Sequence, residues 1–167
     1  MKRRVILRAA TPGDCAAFLA AARSSGALHA AWVKAPATAN TYREYLARMG
    51  QSGNHALLAL RRDDAALVGV FNISNVVLGS FRSGYLGYYA FAPLAGQGLM
   101  REGLQLLLRH AFKTLKLHRL EANIQSGNEA SIALVRGQGF KLEGYSPRYL
   151  KINGRWRDHE RWAIVAD

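Results

Sequence analysis

Pro93-Leu94-Ala95-Gly96-Gln97-Gly98-Leu99-Met100 stands between an apolar, aromatic run, Tyr85 to Phe91, and a segment with helical spacing. In that segment Met100, Leu104, Leu107, Leu108, Ala111 and Leu115 fall at the i, i+4, i+7, i+8 positions of one buried stripe. The loop therefore leads from a strand into the N-terminus of a long amphipathic helix. A helix start presents unpaired N–H groups and the positive end of the macrodipole. Glycines there let the backbone approach an anion closely, and a diphosphate is the natural ligand. Two familiar phosphate loops fail against the letters. A dinucleotide fingerprint needs a third glycine where Arg101 stands, and a Walker loop needs Lys then Ser or Thr after Gly103, where Leu104 and Gln105 follow. A glycine turn without a ligand also fits this loop taken alone.

Working outward, residues 4–9 form a short apolar run suited to a first strand, and Thr11-Pro12-Gly13-Asp14 reads as a helix start. That helix runs through Phe18 and Leu19 to about Ser24-Ser25-Gly26. A second covers 40–49, with Tyr42, Tyr45, Leu46 and Met49 on one face. After the break at Gly53-Asn54, His55 to Leu60 and Leu67 to Ile73 read as strands joined by the polar turn Arg61-Arg62-Asp63-Asp64. Leu120 to Ile124 is a strand, and 128–137 is a short helix closed by Gly137-Gln138-Gly139. Tyr149 to Ile152 and Trp156 to Val165 form a hairpin around Asn153-Gly154. The order β-α-α-β-β-β-α-β-α-β-β predicts a mixed α/β chain, with residues 1–167 as a single domain.

Composition bounds the rest. Hydrophobic residues make up 50% and charged residues 20% of the 167, the balance of a globular chain. Met1-Lys2-Arg3-Arg4 begins like a signal peptide, but Arg8 interrupts the apolar run after Val5-Ile6-Leu7, so neither a signal peptide nor a membrane contact is expected. Cys15 is the only cysteine, which excludes an internal disulfide framework, and its Ala-rich surroundings make it a small core residue. A cytoplasmic location is the resulting expectation. The formal net charge of +12 favours polyanionic partners, although the basic residues are spread along the chain and also suit a merely basic soluble protein.

An ordered set of motifs resembles the GCN5-related N-acetyltransferases: Leu86-Gly87-Tyr88, then Gly96-Gln97-Gly98-Leu99-Met100 and Glu102, then His118-Arg119-Leu120-Glu121-Ala122-Asn123, Asn128, Ser131, Gly139-Phe140 and Glu143-Gly144-Tyr145. The ending Tyr149-Leu150-x-Ile152-x-Gly154-x-Trp156-Arg157-Asp158-His159 is similar to the ribosomal-protein-alanine branch, and Leu7-Arg8 and Asp14 fit it too. Pro93 departs from the wider superfamily, which carries Gln or Arg there. Many members of the alanine branch depart at the same place.

The resemblance implies a central twisted mixed sheet of about seven strands flanked by helices. Two parallel central strands, ending near 89–91 and 122–124, would splay apart to admit the pantetheine of acetyl-CoA. It assigns donor binding to Ala90, Phe91 and Ala92 through free backbone groups, to Ala95, Gly96, Gln97, Gly98, Leu99 and Met100, and to Asn128 and Ser131. Ser131 would hydrogen-bond the departing sulfur. Asn128 also reads as a helix N-cap, and Ser131 as an ordinary small helix residue. Many relatives place a tyrosine acid where Val135 stands, and some place a glutamate base where Asn123 stands. Glu121, on the same strand face, is either a base acting through water or a paired structural carboxylate. His29, Trp32, Tyr42, Tyr88, Asp158 and His159 are expected to wall the acceptor groove, with helix packing or strand pairing as the alternative for several of them. No metal is expected: His159-Glu160 opens like a zinc motif, but Ala163 occupies its last position.

Weak acid–base machinery suits an α-amine, with pKa about 7.7–8.0, better than a lysine near 10.4. A thiol leaving group with pKa about 8.5 also needs little protonation. The expected acceptor is thus a protein N-terminus, such as that of a ribosomal protein on or off the ribosome. A small amine (a polyamine, amino acid or antibiotic) and a nucleic-acid- or ribosome-binding module on the same fold are the other readings.

Overall fold

The computed structural model describes residues 3–167; Met1 and Lys2, half of the basic start, lie outside the described residues. Seven strands and five α-helices follow in the order β1 (Val5–Ala9), α1 (Cys15–Ser24), α2 (Gly26–His29), α3 (Ala39–Met49), β2 (His55–Arg61), β3 (Leu67–Val77), β4 (Ser83–Ala90), α4 (Leu99–Arg109), β5 (Arg119–Gln125), α5 (Glu129–Arg136), β6 (Lys141–Ile152) and β7 (Arg155–Val165). They build one sheet in the order β1-β2-β3-β4-β5-β7-β6. Every neighbouring pair is antiparallel except β4 and β5, which run parallel. This is the mixed sheet that the motif order implied.

The sheet buries both faces, because period-2 alternation sends apolar side chains to each side. Ala59, Phe71, Ile73, Leu86, Leu120, Ala122 and Ile124 form one core with Leu104 and Leu107 of α4 and with Ile132 and Val135 of α5. Leu58, Leu60, Val70 and Phe91 form the other with Phe18 of α1 and with Tyr42, Tyr45 and Met49 of α3. Each fully buried leucine contributes about 1.5–3 kcal/mol relative to exposure. Helix α4 lies unusually close to the sheet. A Cβ on Gly103 would stand 2.8 Å from the Phe71 ring, so glycine is needed for the helix to rest there.

Local signals explain most boundaries. Asp14 accepts from the Thr11 N–H at 2.9 Å and from its hydroxyl at 3.0 Å, closing the turn ahead of α1. Arg8 clamps the same carboxylate at 2.6 and 2.8 Å. Thr38 caps α3 by accepting from the Thr41 N–H. Cys15 is only half-buried, against the α1/α3 core. Four differences from the sequence expectation stand out. β3 runs on to Val77, and β6 begins at Lys141 instead of near Tyr149. Helix α4 ends at Arg109 and passes into a π-helical turn over His110–Thr114, and Leu115 just beyond still packs on the same core as the stripe. Helix α2, four residues long, is too short to leave a periodic signal.

Candidate active site

The parallel ladder between β4 and β5 is brief. It pairs Ser83 with Arg119, Gly84 with Leu120 and Tyr85 with Glu121, then stops. Each strand keeps its outer partner beyond that point: β4 stays on β3 as far as Ala90 opposite Gly69, and β5 stays on β7 as far as Gln125 opposite His159. Two arms held from outside must diverge, and a V opens between them. The strands end within this V, as the resemblance implied.

Backbone groups on a strand alternate between its two neighbours. Phe91 donates to the Val68 carbonyl at 2.9 Å, so its groups face β3, while those of Tyr88 and Ala90 face the V. Ala90, Phe91 and Ala92 were expected to offer free groups, and this needs correction. The Phe91 N–H is spent on β3, the Ala92 N–H donates to Ser25 Oγ at 2.8 Å, and the Ala90 carbonyl meets His29 Nε2 at 2.7 Å.

At the foot of the V, Ala92–Leu94 form a 3-10 turn that accommodates Pro93. Gly96 and Gly98 both have φ +76°, a conformation that favours glycine, and Gly98 caps α4. Gly96, Gln97 and Gly98 are exposed, and a Cβ on Gly96 would meet nothing within 4 Å. The cradle is open, and the first N–H groups of α4, from Leu99 and Met100 onward, have no partner within the helix. Glu102, an anion in that first turn, is turned away. It accepts from the Arg4 N–H at 3.0 Å and from Arg4 Nε at 2.6 Å, and Arg4 Nη2 reaches the Gln97 carbonyl at 3.3 Å. Arg4 thus offsets the carboxylate that would otherwise repel a phosphate. The residues present fit a diphosphate.

Past β5, Asn128 caps α5 by accepting from the Ser131 N–H. The Tyr88 hydroxyl lies 2.7 Å from the Ser131 hydroxyl and 2.8 Å from the Ser131 carbonyl, with one proton to give to one of the two. Burial pushes the Tyr88 phenol well above its usual range, although the Ser131 bond opposes this. Tyr88 packs on Phe71, in the core shared with α4 and α5. Its expected place in the acceptor groove is therefore corrected, because it stands on the opposite face of the sheet from His29. Val135 is fully buried and takes no part.

The opposite face of β5 carries Glu121 and Asn123. Glu121 accepts from Arg119 Nε at 3.0 Å, and Arg119 also binds Glu143, so Glu121 sits in a structural ion network. Asn123 Oδ1 and Arg161 Nε are buried without partners, on directly paired residues of β5 and β7.

A strap over residues 26–32 crosses the mouth of the V on this side. His29 binds Ala90 on one arm, while Gln125 on the other arm donates to the Trp32 carbonyl at 3.1 Å. Asn153, at the β6–β7 turn, donates to the Ala30 carbonyl at 3.0 Å. His29 is buried against Tyr89 and Phe91. His159 is buried opposite Gln125 and near Tyr149. Of the other expected groove residues, Tyr42 is placed elsewhere, whereas the Asp158 carbonyl accepts from the Ser126 N–H at the end of β5. Tyr42 is fully buried in the α1/α3 core and donates to the Thr11 carbonyl at 2.8 Å. Asp158 accepts from Tyr145 and from the Arg148 N–H, bracing an irregular stretch of β6. Gln125, Ser25, Arg4 and Asn153 were missed as site residues; only the Asn153-Gly154 turn had left a signal.

The family description "Acetyltransferase (GNAT) domain" matches residues 4–141. The chain is 44% identical over 103 residues to the [ribosomal protein uS5]-alanine N-acetyltransferase of Escherichia coli, covering 62% of this chain and 53% of that protein. It therefore spans about half the length of that relative. A probable N-acetyltransferase of Bacillus subtilis, YjcK, is 31% identical over 122 residues, 73% of this chain and 67% of its own. The structure of Mycobacterium smegmatis RimJ in complex with CoA-disulfide superposes with a TM-score of 0.89 at 27% identity, covering 97% of this chain and 82% of that one. Together with the V and its glycine cradle, these matches show that the chain belongs to the GNAT acetyltransferase family, whose acyl donor is acetyl-CoA.

Proposed function

We propose that this protein transfers the acetyl group of acetyl-CoA to the α-amine of a protein N-terminus, with a ribosomal protein as the acceptor class. The observation that carries the reading is the pairing of the V with the open Gly96-Gln97-Gly98 cradle, which gives a thioester one route to the mouth between β4 and β5. The diphosphate would rest on the cradle and the start of α4, and Ser131 would lie on the donor side of the mouth. Acetyl-CoA supplies the activated acyl group; the chain orients it and excludes water.

The acceptor assignment rests on chemistry. Neither Val135 nor Asn123 can move a proton, and Glu121 is held by Arg119. An amine already neutral near pH 8 suits such a site. The similarity to the E. coli enzyme supports the same choice. A panel of N-terminal peptides, amino-blocked lysine peptides and small amines, assayed with acetyl-CoA by mass spectrometry, tests it. Acetylation should appear on free N-termini beginning with alanine. Transfer confined to small amines would move the acceptor to that class.

A further inference from the structure

We propose that Tyr88 is the positioning residue for the Ser131 hydroxyl and aims its proton at the departing sulfur. This rests on the acetyl-transfer reading above. Where many relatives use a tyrosine on the helix, this chain has Val135, wholly buried. A different phenol, from β4, reaches the same helix: Tyr88 Oη lies 2.7 Å from Ser131 Oγ, and the two residues are 43 positions apart.

Proton accounting gives the pair a direction. The Ser131 carbonyl lies within α5, where helix geometry offers it the N–H four residues on. Tyr88 has one proton and two oxygens in reach. When it donates to Ser131 Oγ, the serine's own proton is free to point into the V. Burial disfavours the phenolate, so Tyr88 remains a donor and does not ionise during turnover. In the reaction the amine nitrogen bonds to the thioester carbon, the C–S bond breaks, and its electron pair leaves on sulfur. The amine's proton passes to water. The sulfur anion then meets a hydroxyl that is already oriented, and no proton need cross from Tyr88.

The prediction can be read without turnover. Bound CoA, the free thiol, is titrated by thiolate absorbance against a desulfo-CoA complex that cancels protein phenols. In the unaltered protein the bound thiol should titrate about one unit below free CoA, because a donated hydrogen bond favours the anion. Tyr88→Phe should still bind CoA and should return the thiol to its free value, as should Ser131→Ala. Kinetics give a second reading: Tyr88→Phe should lower kcat about tenfold with the KM for acetyl-CoA unchanged, and should cost nothing further in Ser131→Ala. An unshifted thiol in the unaltered protein, or a Tyr88→Phe protein with the same shift, overturns the inference. A shifted thiol in a protein that acetylates no N-terminus would instead overturn the acceptor reading and leave this one standing.

Discussion

The two sides of the V are built differently. On the donor side, the end of β4, the glycine cradle and the start of α4 come from one continuous stretch, 84–109, with α5 supplying Ser131 soon after. On the acceptor side, the strap, Gln125, His159 and Asn153 come from three distant stretches and meet through tertiary hydrogen bonds, the β5–β7 pairing and the packing of His29 on Tyr89 and Phe91. A site encoded locally is fixed by turn and helix geometry, so one residue can abolish it. A site assembled from afar spreads its energy over several modest contacts, so single changes should tune it.

The sharpest way to break this contrast is Gly98→Asp. It forces a side chain into φ +76° and sets a carboxylate in the phosphate cradle. Acetyl-CoA at a hundredfold over its Kd should stabilise the unaltered protein by about 2.7 kcal/mol, and the melting shift should vanish in the variant. Ser131→Ala comes next. It should slow turnover about tenfold to hundredfold while acetyl-CoA still raises the melting temperature. On the acceptor side, Gln125→Ala removes one strap bond worth about 1 kcal/mol. The KM for a peptide acceptor should rise about fivefold, with the KM for acetyl-CoA unchanged. A loss as severe as that of Gly98→Asp would erase the contrast.

The smallest effect lies far from the V. The hydrogen bond from Arg8 dominates, against burial and with help from Thr11, and holds the Asp14 carboxyl at about 2. A carboxylate depressed in the folded state stabilises above its unfolded pKa, about 4, and that contribution fades as pH falls toward about 2. Asp14→Asn should flatten this acid limb, measured by denaturant unfolding, by about 1 kcal/mol or less.

The same contrast explains how far the sequence could be read. The glycine loop, the amphipathic stripe of α4 and the Asn128 cap are short-range patterns with physical meaning, and each stands where the letters placed it. Tyr88 carried an aromatic strand signal but nothing to say which face it would take, because a one-residue change in register reverses every side chain. Ser25 and Gln125 are ordinary polar residues in sequence, and only the fold turns them toward Ala92 and Trp32. Tyr42 looked like a groove residue, but the α3 face that carries it packs inward on Phe18.

Amide hydrogen exchange with and without acetyl-CoA tests the donor route most directly. A groove of about 400 Å³ lined by Ala9, Pro12, Leu46, Met49 and Leu57 offers a rival location well away from the cradle. Bound acetyl-CoA should slow exchange across residues 88–100 and 128–131, with no change around Ala9 and Leu57, and Gly98→Asp should show no protection. Protection centred on the Ala9–Leu57 groove, with the amides of 96–100 exchanging as fast as before, would contradict the account.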